Sequence, residues 1–151
     1  MASFNQLQNL SPSIHREALS MMLGDKVGAG CSREVYVNDL NPLQVVKIQM
    51  TIGFHNVQEW CIWKEVESTE FAKWFAPCDH ISPDGNILIQ RRTEQPKIAY
   101  PEQVPRFFTD LKLTNWGELD GRIVCHDYAL LARYYSMTKH MRKADWWRLE
   151  S

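Results

Sequence analysis

Between Ser11 and Gly24 the apolar residues Ile14, Ala18, Leu19 and Met22 recur at helical spacing. A proline directly after Ser11 suits a first helical position, so this stretch predicts a helix that Gly24 ends. The spacing then shortens. "DKVGAGCSREVYV" predicts two antiparallel strands bent over its glycines, and "LQVVKIQM", after an Asn41-Pro42 turn, predicts a third. From Asn56 a helical period returns, with Val57, Trp60, Trp63 or Lys64, and Val66 on the expected buried face. Ser68-Thr69 interrupts it, "EFAKWF" predicts a second short helical piece, and Pro77 ends that. "DHISPDGNILIQRR" reads as a hairpin around Pro-Asp-Gly-Asn.

Pro96, Pro101 and Pro105 break residues 95–105 into a connector, with a helical turn expected at residues 106–108. "ELDGRIVCHDY" holds another Asp-Gly turn, followed by a strand at Arg122–Cys125. The C-terminal "LARYYSMTKHMRKADWWRLE" predicts one helix or two. Strands and helices in this order point to an α+β fold rather than a doubly wound sheet. Three regions follow: a helical extension (1–24), a β-rich part with one long helix (25–95), and a smaller part with a helical tail (96–151).

Composition narrows the picture. The chain has 151 residues, 44% of them hydrophobic, with six Trp, six Phe and five Tyr, which is ample for a packed core. A formal net charge of −1 gives no global field for nucleic acid. Cys31, Cys61, Cys78 and Cys125 form no CxxC pair, so they read as reduced, mostly buried thiols rather than a zinc site or disulfide framework. The absence of a long apolar run predicts a cytoplasmic protein that does not span a membrane.

The candidate chemistry lies in four places. Gly28 and Gly30, between two strands, let backbone approach an anion because no Cβ intervenes. Lys47 sits in an otherwise apolar strand, either as an edge lysine reaching water or facing a cleft and pairing with phosphate oxygens. The following helix offers Glu59, Glu65 and Glu67 as its partner. Asn115 and Asp127 supply the hard oxygen donors that Mg²⁺ takes, with Asp110 placed to accept a proton.

The order of these elements resembles the protein-kinase superfamily. Gly28-x-Gly30-x-x-Arg33-x-Val35 is similar to the phosphate-covering loop, and Val46-Lys47 to the motif carrying the nucleotide-binding lysine. "QEWCIWKEV" resembles the kinase C-helix pattern, in a register that favours Glu59 over Glu65 as the lysine's partner. Asp110-Leu111-Lys112-x-x-Asn115 looks like the catalytic loop, and Asp127-Tyr128-Ala129 like a variant of the Asp-Phe-Gly metal motif. The resemblance implies a kinase-like fold with a strongly reduced second lobe, and ATP and Mg²⁺ as ligands. Val27, Gly28, Gly30, Val35, Lys47 and Glu59 would then surround the nucleotide, with Gln90, Arg91 and Arg92 in a hinge (residues 90–94) reading adenine. Asn115 and Asp127 would hold Mg²⁺, Asp110 would serve as base, and Lys112 would offset charge on the transferred group.

The sequence also departs from the family. Arg33 stands where the third glycine is expected, Phe108-Thr109 replaces His-Arg, and Asp-Tyr-Ala replaces Asp-Phe-Gly. Only about fifteen residues separate the hinge from Asp110, and no activation segment follows Asp127, so the platform for an acceptor is missing or supplied by a partner. Two readings therefore stand. One is a phosphotransferase acting on an unknown, protein-type hydroxyl acceptor. The other is a pseudokinase-like binding module that docks on a partner protein, a form suited to a small viral or mobile-element protein acting in a host cytoplasm. The basic and aromatic tail, with Lys139, Arg142, Trp146 and Trp147, is expected to cover the core as an amphipathic helix. Partner docking or self-association is another use of that surface, and nucleic-acid binding a less favoured one. His126, beside Asp127, is expected to pack or to hydrogen-bond behind the site.

Overall fold

The β-branched segments between Leu23 and Arg91 pair into one antiparallel sheet. It comprises β1 (Leu23–Ala29), β2 (Arg33–Asn38), β3 (Gln44–Gln49), β4 (Cys78–Ile81) and β5 (Ile87–Arg91), in the order β1-β2-β3-β5-β4. The computed structural model describes residues 11–131 and 137–150, and within them the fold is mixed α+β. β1 slips register between Leu23 and Lys26 and again between Lys26 and Gly28, and such irregularities bend a strand over its partner. Residues 1–10 of the expected N-terminal extension and 132–136 of the expected tail helix lie outside the described residues.

Register decides which face each side chain takes. Val46 opposes Ile89 while Lys47 opposes Leu88, so successive residues of β3 point to opposite sides. Val46, Ile87 and Ile89 pack with Leu19 and Met22, around helix α1 (Pro12–Ser20). Arg16 of α1 also pairs with Asp84 in the β4–β5 turn at 2.7 Å. Leu88 faces the other way, into a core shared with Ile62 and Val66 of helix α2 (His55–Val66).

The buried face of α2 coincides with the expected one only at Val66. Asn56, Glu59, Ile62 and Val66 are buried, whereas Val57 is exposed and Trp60 and Trp63 are only half-buried. Apolar spacing finds Val66 and the core-packed Trp60 and Trp63 but misses the innermost positions, because two of the four are polar and answer charges on the sheet.

The smaller part consists of two hairpin-like pairs. β7 (Trp116–Leu119) and β8 (Arg122–Cys125) are joined through Asp120 and Gly121, both with positive φ (52° and 76°), the conformation two-residue hairpin turns require. β6 (Gln103–Pro105) pairs with β9 (Met141–Lys143). This corrects two expectations. The proline-rich connector contains a strand, and no helix occurs in residues 137–150. The tail extends because Arg142 donates from Nε and Nη2 to the Phe108 carbonyl (3.1 and 2.7 Å). Trp146 also packs against Tyr100 and Trp116 and donates to Pro101 O. Those tertiary partners outweigh the weak helical propensity of a tail carrying two adjacent tryptophans.

An aromatic cluster joins the two parts. Phe75 stacks on Phe107 at 6.1 Å and meets Tyr128 edge-on at 4.9 Å, and Phe108 bridges to Trp116 at 4.8 Å. Cys78 and Cys125 are buried, but Cys31 and Cys61 are exposed, so the thiols are not mostly interior. Among the described residues no helix is long and apolar enough to cross a membrane. Phe75→Ala should cost about 3–5 kcal/mol in urea unfolding, because the ring is enclosed by three other aromatics. Ile14→Ala, at an exposed site of α1, should shift stability by about 0.5 kcal/mol or less.

Candidate active site

Lys47 is 3% exposed on the face of β3 turned toward α2. A buried ammonium needs an anion, and Glu59, fully buried on α2, lies 3.1 Å from its Nζ. The Lys47 ammonium also donates to the carbonyl of His126. Glu65 of the same helix is exposed. Glu59 carries more than this one pair. Its Oε2 accepts from Arg33 Nη1 and its Oε1 accepts from the backbone N–H of Tyr128 at 2.8 Å. Arg33, at the start of β2 and itself buried, also reaches Asn56 Oδ1 at 3.2 Å and Asp127 Oδ1 at 2.8 Å. Two cations and two carboxylates thus form one cluster that ties β2, β3, α2 and the segment after β8 together.

Tyr128 locks that segment. Its hydroxyl donates to Ala76 O at 2.8 Å and lies 3.2 Å from Cys78 Sγ, with its ring inside the aromatic cluster. Burial pushes the Cys78 thiol up to about 12, so it packs as a neutral group. His126 is fixed from both sides, with Nε2 2.9 Å from Thr114 O and Nδ1 2.7 Å from Thr93 Oγ1. The carbonyl can only accept, so Nε2 carries the proton, and in the neutral ring Nδ1 accepts from the threonine hydroxyl. Burial and the Lys47 charge hold the imidazole below its ordinary pKa, which favours that neutral form.

Asn115 connects this cluster to Asp110. Its carbonyl accepts from the N–H groups of His126 (2.9 Å) and Asp127 (3.4 Å), and its side-chain amide lies 3.4 Å from Asp110 Oδ2. Asp110 is exposed, and its Oδ1 accepts from Lys112 N at 3.1 Å. The same oxygen accepts from Trp147 Nε1 at 3.1 Å, because the tail runs alongside residues 111–113. Leu113 N donates to Trp147 O at 2.8 Å, and Trp147 N to Leu111 O at 3.2 Å. Lys112 places its ammonium over the Trp147 ring, 5.7 Å from its centre.

The glycine segment and residues 90–94 border the cluster. Gly28 opposes Val35, and Val35 opposes Lys47, so these line one face of the sheet, while Val27 is exposed. Gln90 is buried, its amide directed at Cys78 (3.8 Å) rather than at the cleft, whereas Arg91 and Arg92 are exposed. Arg91, Arg92 and Glu94 spend their N–H groups on Pro77, Leu43 and Glu118, leaving Thr93 N–H as the one in that run without a backbone partner among the described residues. Glu94 also accepts from Glu118 N at 2.9 Å, so the chain at Glu94 lies directly on β7. Gly117 permits that approach, since a Cβ there would stand 2.4 Å from Thr93 Oγ1.

The structure therefore brings Lys47, Glu59, Asp127, Asn115 and Asp110 into one continuous network, with Lys112 at its edge. Gln90, Arg91 and Arg92 take no part in it through their side chains. Two residues that do take part carried no such sign in the sequence. Arg33 was legible only as a missing glycine, and Trp147 only as part of an aromatic tail.

Glu59 should dominate the acid sensitivity of this centre. Burial alone pushes its carboxyl up, but the Lys47 and Arg33 charges and their hydrogen bonds outweigh that and hold it below the usual range. A depressed folded value means the unfolded chain takes the proton first, near pH 4.3. The stabilisation is therefore complete above that pH and lost as pH falls through the folded value. Glu59→Gln should start about 3–5 kcal/mol less stable at neutral pH, since two buried cations lose a counter-charge. It should also lose less on acidification than the wild type does, read by urea melts from neutral to acid pH. A parallel acid loss in both proteins would exclude Glu59 as its origin.

Comparison with family models, with curated proteins and with solved structures finds no match to this chain.

Proposed function

We propose that this chain is a pared-down, protein-kinase-like phosphotransferase that holds Mg²⁺–ATP between the five-stranded sheet and the β7–β8 hairpin, and passes the γ-phosphoryl group to a hydroxyl acceptor. The observation that carries this reading is Lys47, buried beneath the sheet, held by Glu59, and joined through one network to Asp127, Asn115 and Asp110. A lysine buried only for packing would not need three oxygen-bearing side chains arranged beyond it toward solvent.

Three features fit the ligand. Neither Gly28 nor Gly30 is demanded by internal crowding or by positive φ: a Cβ on Gly30 meets nothing within 4 Å, and one on Gly28 makes only ordinary contact with Val35. Space for an outside group against the backbone is a use that glycine serves there. Thr93 N–H, in the expected hinge, has no backbone partner among the described residues, and it is the kind of group that reads a purine edge. Asp127, with its side chain 52% exposed, and Asn115 offer oxygen donors at the cleft mouth.

In this reading Lys47 orients the α- and β-phosphates, and Glu59 fixes the lysine. Asp127 and the Asn115 amide oxygen would hold the metal, which when bound neutralises charge on the phosphates. Asp110 accepts the acceptor's proton, and Lys112 lies near enough to offset charge at that point. Most of the rate would come from this positioning and electrostatics.

A second reading is favoured by one observation: Asp127 and Asp110 each already accept from an internal donor, Arg33 and Trp147. A kinase-like module that docks on a partner protein without turnover would keep both acids engaged. Calorimetry and γ-phosphate transfer from labelled ATP separate the two. The phosphotransferase binds Mg²⁺–ATP, loses affinity at least about tenfold in Lys47→Met, and in Asp110→Asn keeps binding while transfer falls by about 10²–10⁴-fold. No binding heat with Mg²⁺–ATP would overturn it and leave the docking module.

A further inference from the structure

The guanidinium of Arg33 lies where the resemblance to kinases leads one to expect only glycine backbone. It is 7% exposed and fixed on two sides. Nη1 is held by Glu59 and Asn56, and Nη2 alone reaches Asp127, at 2.8 Å. Asn56 is itself anchored by donating to the Lys47 carbonyl at 3.2 Å, so the inner half of the fork has no room to turn away. The outer half is different. Glu59 is fully buried, whereas the Asp127 side chain is 52% exposed, so only the Asp127 arm can exchange its partner.

We propose that Arg33 is the resident counter-cation of Asp127, a positioning residue that holds the place of the metal until a metal–nucleotide complex takes that carboxylate over. This rests on the nucleotide reading above for what arrives, but the pairing of Arg33 with Asp127 does not.

Charge balance carries the argument. Lys47 and Arg33 against Glu59 and Asp127 sum to zero, so the cluster is already neutral. A bare divalent cation would add two positive charges beside two resident cations, one of which never deprotonates. A metal–triphosphate complex has the opposite character. It is net negative, so it brings its own anion to Lys47 and to the Arg33 arm freed from Asp127. The same guanidinium that excludes a lone metal therefore becomes a phosphate donor once the complex is seated, while Nη1 stays on Glu59. Metal and nucleotide should enter together, and the ion alone should bind poorly.

The test is a Mn²⁺ titration of the nucleotide-free full chain, followed by the electron paramagnetic resonance of the free ion. Wild type should bind Mn²⁺ weakly. Arg33→Met should bind it about tenfold or more tightly, the scale on which a neighbouring unit charge perturbs a carboxylate. Arg33→Met combined with Asp127→Asn should lose that gain. Arg33→Lys guards against misfolding of the methionine variant. It keeps a positive charge for Glu59 but cannot fork to both acids, so it should gain affinity in the same direction by a smaller factor. Equal Mn²⁺ affinity in wild type and both Arg33 variants would overturn the proposal, as would a gain that survives Asp127→Asn. A gain in Mn²⁺ affinity with no ATP binding by any variant would sink the phosphotransferase reading and leave the Arg33–Asp127 pairing standing.

Discussion

A single buried carboxylate organises this molecule. Glu59 has no access to water, so its charge must be answered inside the protein, and it is answered from three directions: Lys47 on β3, Arg33 on β2, and the backbone N–H of Tyr128 after β8. Breaking such a buried set by removing one partner costs far more than the set contributes over an apolar alternative. Its value is therefore geometric. The carboxylate fixes α2 against the sheet and fixes the sheet against the smaller part. Through Arg33 it is also joined to Asp127.

The arrangement also shows how the smaller part is held in order against the five-stranded sheet. Tyr128 plugs the aromatic cluster, Gly117 lets residues 93–94 rest on β7, and His126 clasps Thr93 on one side and Thr114 on the other. Each contact is made by one of the few residues between Asn115 and Tyr128, most of them to partners far away in sequence. Their crowding explains why a stretch of sequence so dense in acids and amides folds as a tight hairpin rather than a loop.

Strands and turns were legible in the sequence because their physics is local. The β-branched residues of "LQVVKIQM" and the Asp120-Gly121 pair need no knowledge of the rest of the chain. The existence of α2 was legible for the same reason, but its buried face was not, since Asn56 and Glu59 turn inward only in answer to Lys47 and Arg33. The tail was misread as helix because what extends it, the Phe108 carbonyl and the Tyr100 and Trp116 rings, lies some thirty to forty-five residues away in sequence. Of the site, Lys47, Glu59, Asp110, Asn115 and Asp127 could be picked out by type and spacing. Arg33 and Trp147 could not, because their roles depend on which acid they reach after folding.

The pairing of β9 with β6 has a consequence for how the molecule comes into being. The five-stranded sheet and its helices draw on residues up to Arg91, so that half can assemble from contacts made early in synthesis. The smaller part cannot close in the same way, because Met141–Lys143 must return to Gln103–Pro105 and Trp147 to residues 111–113. Long-range pairings of this kind form late. A nascent chain would therefore pass through an interval with Lys47, Glu59 and Arg33 already joined while Asp110 still lacks the Trp147 donor that the returning tail brings to it.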